Sequence, residues 1–289
     1  MNASPTHPAR RLWHHLEMLH AVVYFDRSVT EALQGLGLKG FWMSYFAGRA
    51  APLGAVGPGP VEATFYNFAP GLVRRAIPDA WRFAEPVAVL DARSTAAAAS
   101  LRRLVPGIEA EAARIVPLLS SAVRQARPDG RTLFAANQQL PLPQDPVAAL
   151  WQCATSLREH RGDGHVALLV AHDLSGVECH QLIVATTQVG DDDLRSARGW
   201  SDQEWDGAKA TLARRGLLEA DGSPTAAGSE LHEELERRTD ELAWQPFADG
   251  LTEAGADLLP LLLEPLAAQV RSSGIFPFPN PIGLPEPTT

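Results

Sequence analysis

The stretch Gly216-Leu217-Leu218-Glu219-Ala220-Asp221-Gly222-Ser223-Pro224-Thr225-Ala226-Ala227-Gly228 says most about how this chain folds. Two leucines, an Asp-Gly pair and a return through Pro-Thr read as a strand, a tight turn and a second strand. Asp-Gly supplies the positive φ angles that hairpin turns require. Thr225 then caps a new helix, expected over 225–242. Upstream, Ser201 and Glu204 stand three residues apart at the head of a periodic apolar segment. That is a capping box, and it predicts a helix over 201–215. Further back, 164–172 reads as a helix, Asp173-Leu174-Ser175 as a turn and 176–187 as a second helix, with an acidic loop at 190–193.

The rest of the chain is also dominated by helical periodicity. Helices are expected over 10–25, 28–36, 39–47, 71–83, 86–104, 108–127 and 145–160, separated by Gly- and Pro-rich segments. Strand signals are sparse: an alternation at 61–65 and the hairpin at 217–225. Residues 32–41 and 168–177 each carry a leucine-rich helix end, a Leu-x-Gly turn and a new helix, a weak internal echo. The fold class expected is therefore mainly α, with degenerate winged helix-turn-helix units, single or in tandem, a small β-wing and additional helices. A helical N-terminal domain over 1–144 would precede a winged-helix domain over 145–289.

Composition narrows the function. The chain has 289 residues, 45% hydrophobic and 20% charged, with 34 acidic against 25 basic residues and a net charge of −9. No stretch approaches the roughly 18 uninterrupted apolar residues of a membrane helix, and residues 1–11 have no apolar signal core, so a cytoplasmic protein without a membrane partner is expected. Two cysteines, Cys153 and Cys179, do not make a disulfide framework or a zinc site. The net charge opposes non-specific phosphate binding. Base reading requires Arg, Lys, Asn or Gln aimed at base edges, yet 176–187 contains no Arg or Lys, 40–49 is aromatic, and the wing tip carries Glu219 and Asp221. DNA is a disfavoured partner on these grounds.

Polar residues that carry chemistry gather elsewhere. On a helix over 10–25, Glu17, His20 and Tyr24 fall at i, i+3 and i+7 and share a face. Glu-x-x-His is half of a dimetal motif, but no second copy is present, so no metal is expected. The segment Leu157-Arg158-Glu159-His160-Arg161-Gly162-Asp163-Gly164-His165 is dense in ionisable groups. Gly162 and Gly164 would break the helix there, leaving Asp163 to cap the next one. Arg158 or Arg161 could hold an anion, and His160 or His165 could exchange protons with Glu159 or Asp163 orienting them. Arg49 lies amid apolar sequence and needs a partner. With Tyr66 it belongs to aromatic-rich segments suited to a mostly apolar cavity. No phosphate loop, nucleophile elbow or dinucleotide fingerprint occurs, and no cofactor is expected.

The Arg-Gly-Leu-Leu-x-x-Asp-Gly-x-x-Thr-x-x-Gly wing resembles that of MarR-type regulators. The motifs at 17–25, 40–54, 65–70, 157–167 and 199–205, with Asn-Pro-Ile-Gly at 280–283, resemble an actinobacterial, largely uncharacterised family of MarR-like helix-turn-helix proteins of similar length. The resemblance implies the fold and no settled activity. The function expected is a small-molecule binder, or an acid–base enzyme of specialised metabolism, on a repurposed winged-helix scaffold. His20, Glu159, His160, Asp163 and His165 would be its catalytic candidates and Glu17, Tyr24, Arg49, Tyr66 and Arg161 its ligand contacts. A ligand-responsive transcription regulator and a metal or haem protein are the alternatives, and a homodimer is left open.

Overall fold

The computed structural model describes residues 6–187, 189–278, 280 and 282–284. Helices make up nearly all of the regular structure, and no strand occurs among the described residues. The first half holds α1 (Pro8–His20), α2 (Val22–Phe25), α3 (Arg27–Gln34), α4 (Gly40–Ala50), α5 (Pro58–Thr64), α6 (Pro70–Arg74), α7 (Pro86–Leu104), α8 (Ile108–Gln125) and α9 (Thr132–Gln138). The second holds α10 (Pro146–Ala171), α11 (Gly176–Thr186), α12 (Asp191–Arg198), α13 (Asp202–Arg214), α14 (Ala226–Gly250) and α15 (Glu253–Ser272). Pro281 of the terminal Asn-Pro-Ile-Gly motif lies outside the described residues.

Several local expectations change. The alternation at 61–65 belongs to α5 and its C-cap: Val61 and Phe65 are four apart, so the pattern fits one helical face as well as a strand, and both are buried. The expected helix over 71–83 is split into α6 and a 3-10 turn at Asp79–Arg82, with Pro78 between them unable to donate a helical hydrogen bond. The acidic loop is the first turn of α12, where Asp191, Asp192 and Asp193 complement the positive end of the helix dipole. The wing reduces to one antiparallel bridge, Leu218 with Pro224, closed by a Glu219 N–H to Ser223 O bond of 2.8 Å. Proline has no N–H with which to extend the ladder.

The largest change concerns α10, a single helix running through Gly162 and Gly164. A helical glycine costs about 1 kcal/mol relative to alanine. Burial along α10, from Val147 through Trp151 and Leu157 to Leu169, outweighs two such penalties. Asp163 is consequently inside α10 and does not cap it. It accepts the Phe134 N–H at 2.8 Å and so satisfies the open first turn of α9.

Three apolar clusters organise the molecule. The first packs Leu12, Leu16 and Leu19 of α1 against Leu101, Ile115, Leu119, Trp151 and Leu263, and so draws on both sides of the expected 144/145 division. The second surrounds Phe46, Phe65, Val61 and Ile77. The third joins Leu169, Leu174, Leu182, Leu212, Leu217 and Leu235 across α10, α11, α13 and α14. Gly176 lets α11 meet the 64–68 segment, because a Cβ there would lie 2.1 Å from the Tyr66 carbonyl oxygen. Neither backbone can yield cheaply. Gly176→Ala is therefore expected to destabilise the fold by about 1–3 kcal/mol, visible as a lower urea midpoint. An unchanged midpoint would mean that this contact is not close in solution.

Candidate functional site

Between these clusters lies a cavity of about 510 Å³, walled by α1, α4, the 64–68 segment, α10, α11, α12 and α14. Ligand pockets commonly occupy about 300–1,000 Å³. Helix geometry explains the polar wall. Arg10, Trp13 and Glu17 recur at i, i+3 and i+7 on α1, and Arg158, Arg161 and His165 do so on α10, so each helix turns one polar edge to the cavity. Tyr45, Phe65, Tyr66 and Phe68 give it an apolar flank.

The expected residues Glu17, Arg49, Tyr66, Glu159, Arg161, Asp163 and His165 all reach this cavity. His20 and Tyr24 do not. They lie behind Tyr45 and Arg49 on a separate void of about 20 Å³, room for a single water. Thr155 donates its hydroxyl to Trp151 O at 2.9 Å, so it must accept from His20 Nδ1 at 2.9 Å. His20 Nε2 then accepts from the Tyr24 hydroxyl at 2.8 Å. Burial keeps both neutral, lowering His20 and raising Tyr24. His160 is on another face of α10, edge-on to Phe134 at 4.8 Å, with its pKa pushed down to about 3 by burial.

Two ion-pair groups line the cavity. In the first, Glu159 accepts Arg49 through Nη2 at 2.9 and 3.1 Å and Nε at 3.2 Å, and Arg158 Nη1 at 2.9 Å. Burial opposes its charge, but Arg158 and Arg49 prevail and hold Glu159 down to about 2. Arg49 also lies 4.2 Å over the Phe65 ring and donates to the Tyr45 hydroxyl at 3.1 Å. In the second group Asp240 receives Arg10 Nε at 3.0 Å and Arg161 Nη1 at 2.7 Å, and Glu236 pairs with Arg10. Arg161 stacks 4.9 Å from the Trp13 ring.

Donor groups are left over. Arg158 Nη2 and Arg161 Nε make no hydrogen bond among the described residues, and Tyr45, an acceptor from Arg49, has its own proton to give. The histidines on the wall are neutral: burial and Arg10 bring His14 to about 4, burial brings His180 to about 3, and burial lowers His165. Thr239 donates to Leu235 O at 2.7 Å and so accepts from His165 Nδ1 at 3.0 Å, leaving Nε2 as a lone pair 3.9 Å from Cys179 Sγ. Burial raises Asp163 to about 6 and pushes both thiols up to about 12, far from thiolate chemistry.

Arg10, Trp13, Arg198 and Glu236 on the wall were not among the expected site residues. The i, i+3, i+7 spacing of Arg10, Trp13 and Glu17 was the available signal. The segment 176–187, weighed and disfavoured as a base-reading helix, contains α11. Helix α11 has no exposed residue, and its His180 and Gln181 bond inward to Asn67 O at 3.0 Å and Trp205 O at 3.1 Å. The helix that leads into the 218–224 turn is α13, whose exposed positions include Asp202, Glu204, Asp206 and Arg214. Among the described residues no helix is long and apolar enough to cross a membrane.

No curated protein and no solved structure matches the chain. A model of a family described as the Helix-turn-helix family matches residues 9–277. With α10, α11, α13 and α14 packed around one apolar cluster and the match spanning nearly the whole sequence, this chain belongs to the Helix-turn-helix family.

Proposed function

We propose that this protein, a helix-turn-helix chain of MarR type, binds a small organic anion with an aromatic or apolar body, and that the 510 Å³ cavity is the binding site. The observation that carries this reading is the pair Arg158 and Arg161, one helical turn apart on the cavity wall, each with a guanidinium N–H left for a ligand. Guanidinium pairs suit carboxylate, sulfonate and phosphate oxygens. Phe65, Phe68 and Trp13 would flank the body of the molecule, and Tyr45 would add a hydroxyl donor.

Helix-turn-helix proteins ordinarily place a helix in the major groove. The acidic first turns of α12 and α13, together with Glu219 and Asp221 in the turn, weigh against that use here. An acid–base enzyme is the second reading. Asp163, raised to about 6 by burial beside the cavity, favours it, since a proton-transfer group works best near ambient pH.

A thermal-shift panel of aromatic carboxylates, sulfonates and phosphates, each with a neutral isostere, tests the binding reading. Anions are expected to raise Tm and their isosteres to leave it unchanged, because a ligand that binds only the folded state stabilises it. His160→Ala should leave those shifts intact, its ring being turned to Phe134. Salt-sensitive, sequence-selective binding of the upstream DNA with no response to any anion would overturn the proposal.

A further inference from the structure

Glu17 is 1% exposed and stands on the cavity wall, yet it is poorly compensated. Its nearest cation, Arg158 Nε, is 3.5 Å from Oε1 and 3.4 Å from Oε2, and Oε2 has no hydrogen bond among the described residues. Arg158 meanwhile gives its short bond, 2.9 Å, to Glu159. A buried carboxylate that lacks hydrogen bonds is costly to ionise. Burial accordingly raises Glu17 above the usual carboxyl range despite Arg158, with Glu159 adding to the rise.

The charge balance gives this a consequence. Asp240 and Glu236 offset Arg10 and Arg161. Within the Glu17 group, Glu159 alone offsets Arg49 and Arg158 when Glu17 is neutral, which leaves one cation of that group spare. Ionised, Glu17 cancels it. We infer that the cavity takes up its anion together with a proton on Glu17, so that this carboxyl, neutral when the site is filled, admits the anion and repels it when charged. The inference rests on the binding reading above.

The surrounding charges fit. From α10, Arg158 and Glu159 face Glu17, as does Arg49 from α4, while Arg161 meets α1 at Trp13. Groups of α14, Glu236 and Asp240, are engaged one to two turns away with Arg10. Those of α15, Glu264 and Arg271, act on His15. On α1 itself, His14 and His20 are neutral through burial, and Tyr24 of α2 keeps its proton. Asp163 is the rival group, since burial raises it to about 6 on the same wall.

The test uses 8-anilinonaphthalene-1-sulfonate, an aromatic anion whose sulfonate stays ionised throughout, titrated by fluorescence from about pH 5 to 9. With the wild-type chain, Kd is expected to rise with pH, approaching about tenfold per unit above the Glu17 midpoint. Glu17→Gln should be flat and as tight as the wild-type acid limit, whereas Asp163→Asn should keep the slope. Calorimetry in two buffers of different ionisation heat should show a proton taken up with the probe by the wild type and equally by Asp163→Asn, which assigns the proton away from Asp163 even if Glu17→Gln fails to fold. A pH-independent Kd with no proton uptake, or a slope that survives Glu17→Gln, would overturn the inference while leaving the site intact. Probe binding indifferent to Arg158→Gln would instead overturn the site.

Discussion

Glu159→Ala is expected to be among the most destabilising single substitutions in this chain. Glu159 is 3% exposed and is the shared acceptor of Arg49 and Arg158. Without it, two guanidinium groups remain enclosed with only the distant Glu17 nearby. Removing one member of a buried ion pair costs about 3–5 kcal/mol, out of a total that is commonly about 5–15 kcal/mol. The urea midpoint should fall sharply, and loss of folding at 37 °C would be consistent. A midpoint within error of the wild type would mean that solvent screens the triad. The sign with pH follows. The carboxyl sits at about 2 when folded against 4.5 otherwise, so its contribution is complete above about 4.5 and is lost as pH falls towards 2. The stability curve of the wild type should therefore drop across that acid interval, and Glu159→Gln should flatten the drop.

Arg158→Gln and Arg161→Gln are expected to have the largest effects on ligand affinity. Glu159 retains Arg49 and Asp240 retains Arg10, while Glu17, which loses its nearest cation, is held by burial toward its neutral form. Folding should consequently survive both changes. Truncating one side of a desolvated charge contact costs about 2–5 kcal/mol, roughly thirtyfold or more in Kd. The comparison is the Kd of the strongest anion from the thermal panel for each variant and the wild type, with circular dichroism as the check on folding. A change of less than twofold in both variants would remove the arginine pair from the site.

The sequence made some of this legible and hid the rest for identifiable reasons. The capping box at Ser201 and the Thr225 cap are local, and the helix starts near them could be read directly. The break at Gly162 and Gly164 was a local inference that lost to tertiary burial along α10. Losing it also changed Asp163 from a cap of its own helix into a cap of α9, a partnership 29 residues apart in sequence. Charged residues at 157–165 did mark the cavity wall, since Glu159, Arg161, Asp163 and His165 line it. His160 fell on the opposite edge because its position within the turn, set by 3.6-residue periodicity, takes it to Phe134. Arg10 and Glu236 were invisible as a pair because 226 positions separate them. Only the packing of α1 against α14 brings them together.

Anion binding in the cavity is tested most directly by diffraction from crystals soaked with the strongest anion of the panel. Its acidic group is expected within hydrogen-bond distance of Arg158 and Arg161, with its body against Phe65 and Trp13. Density for the anion outside the cavity, with Arg158 and Arg161 untouched, would contradict it.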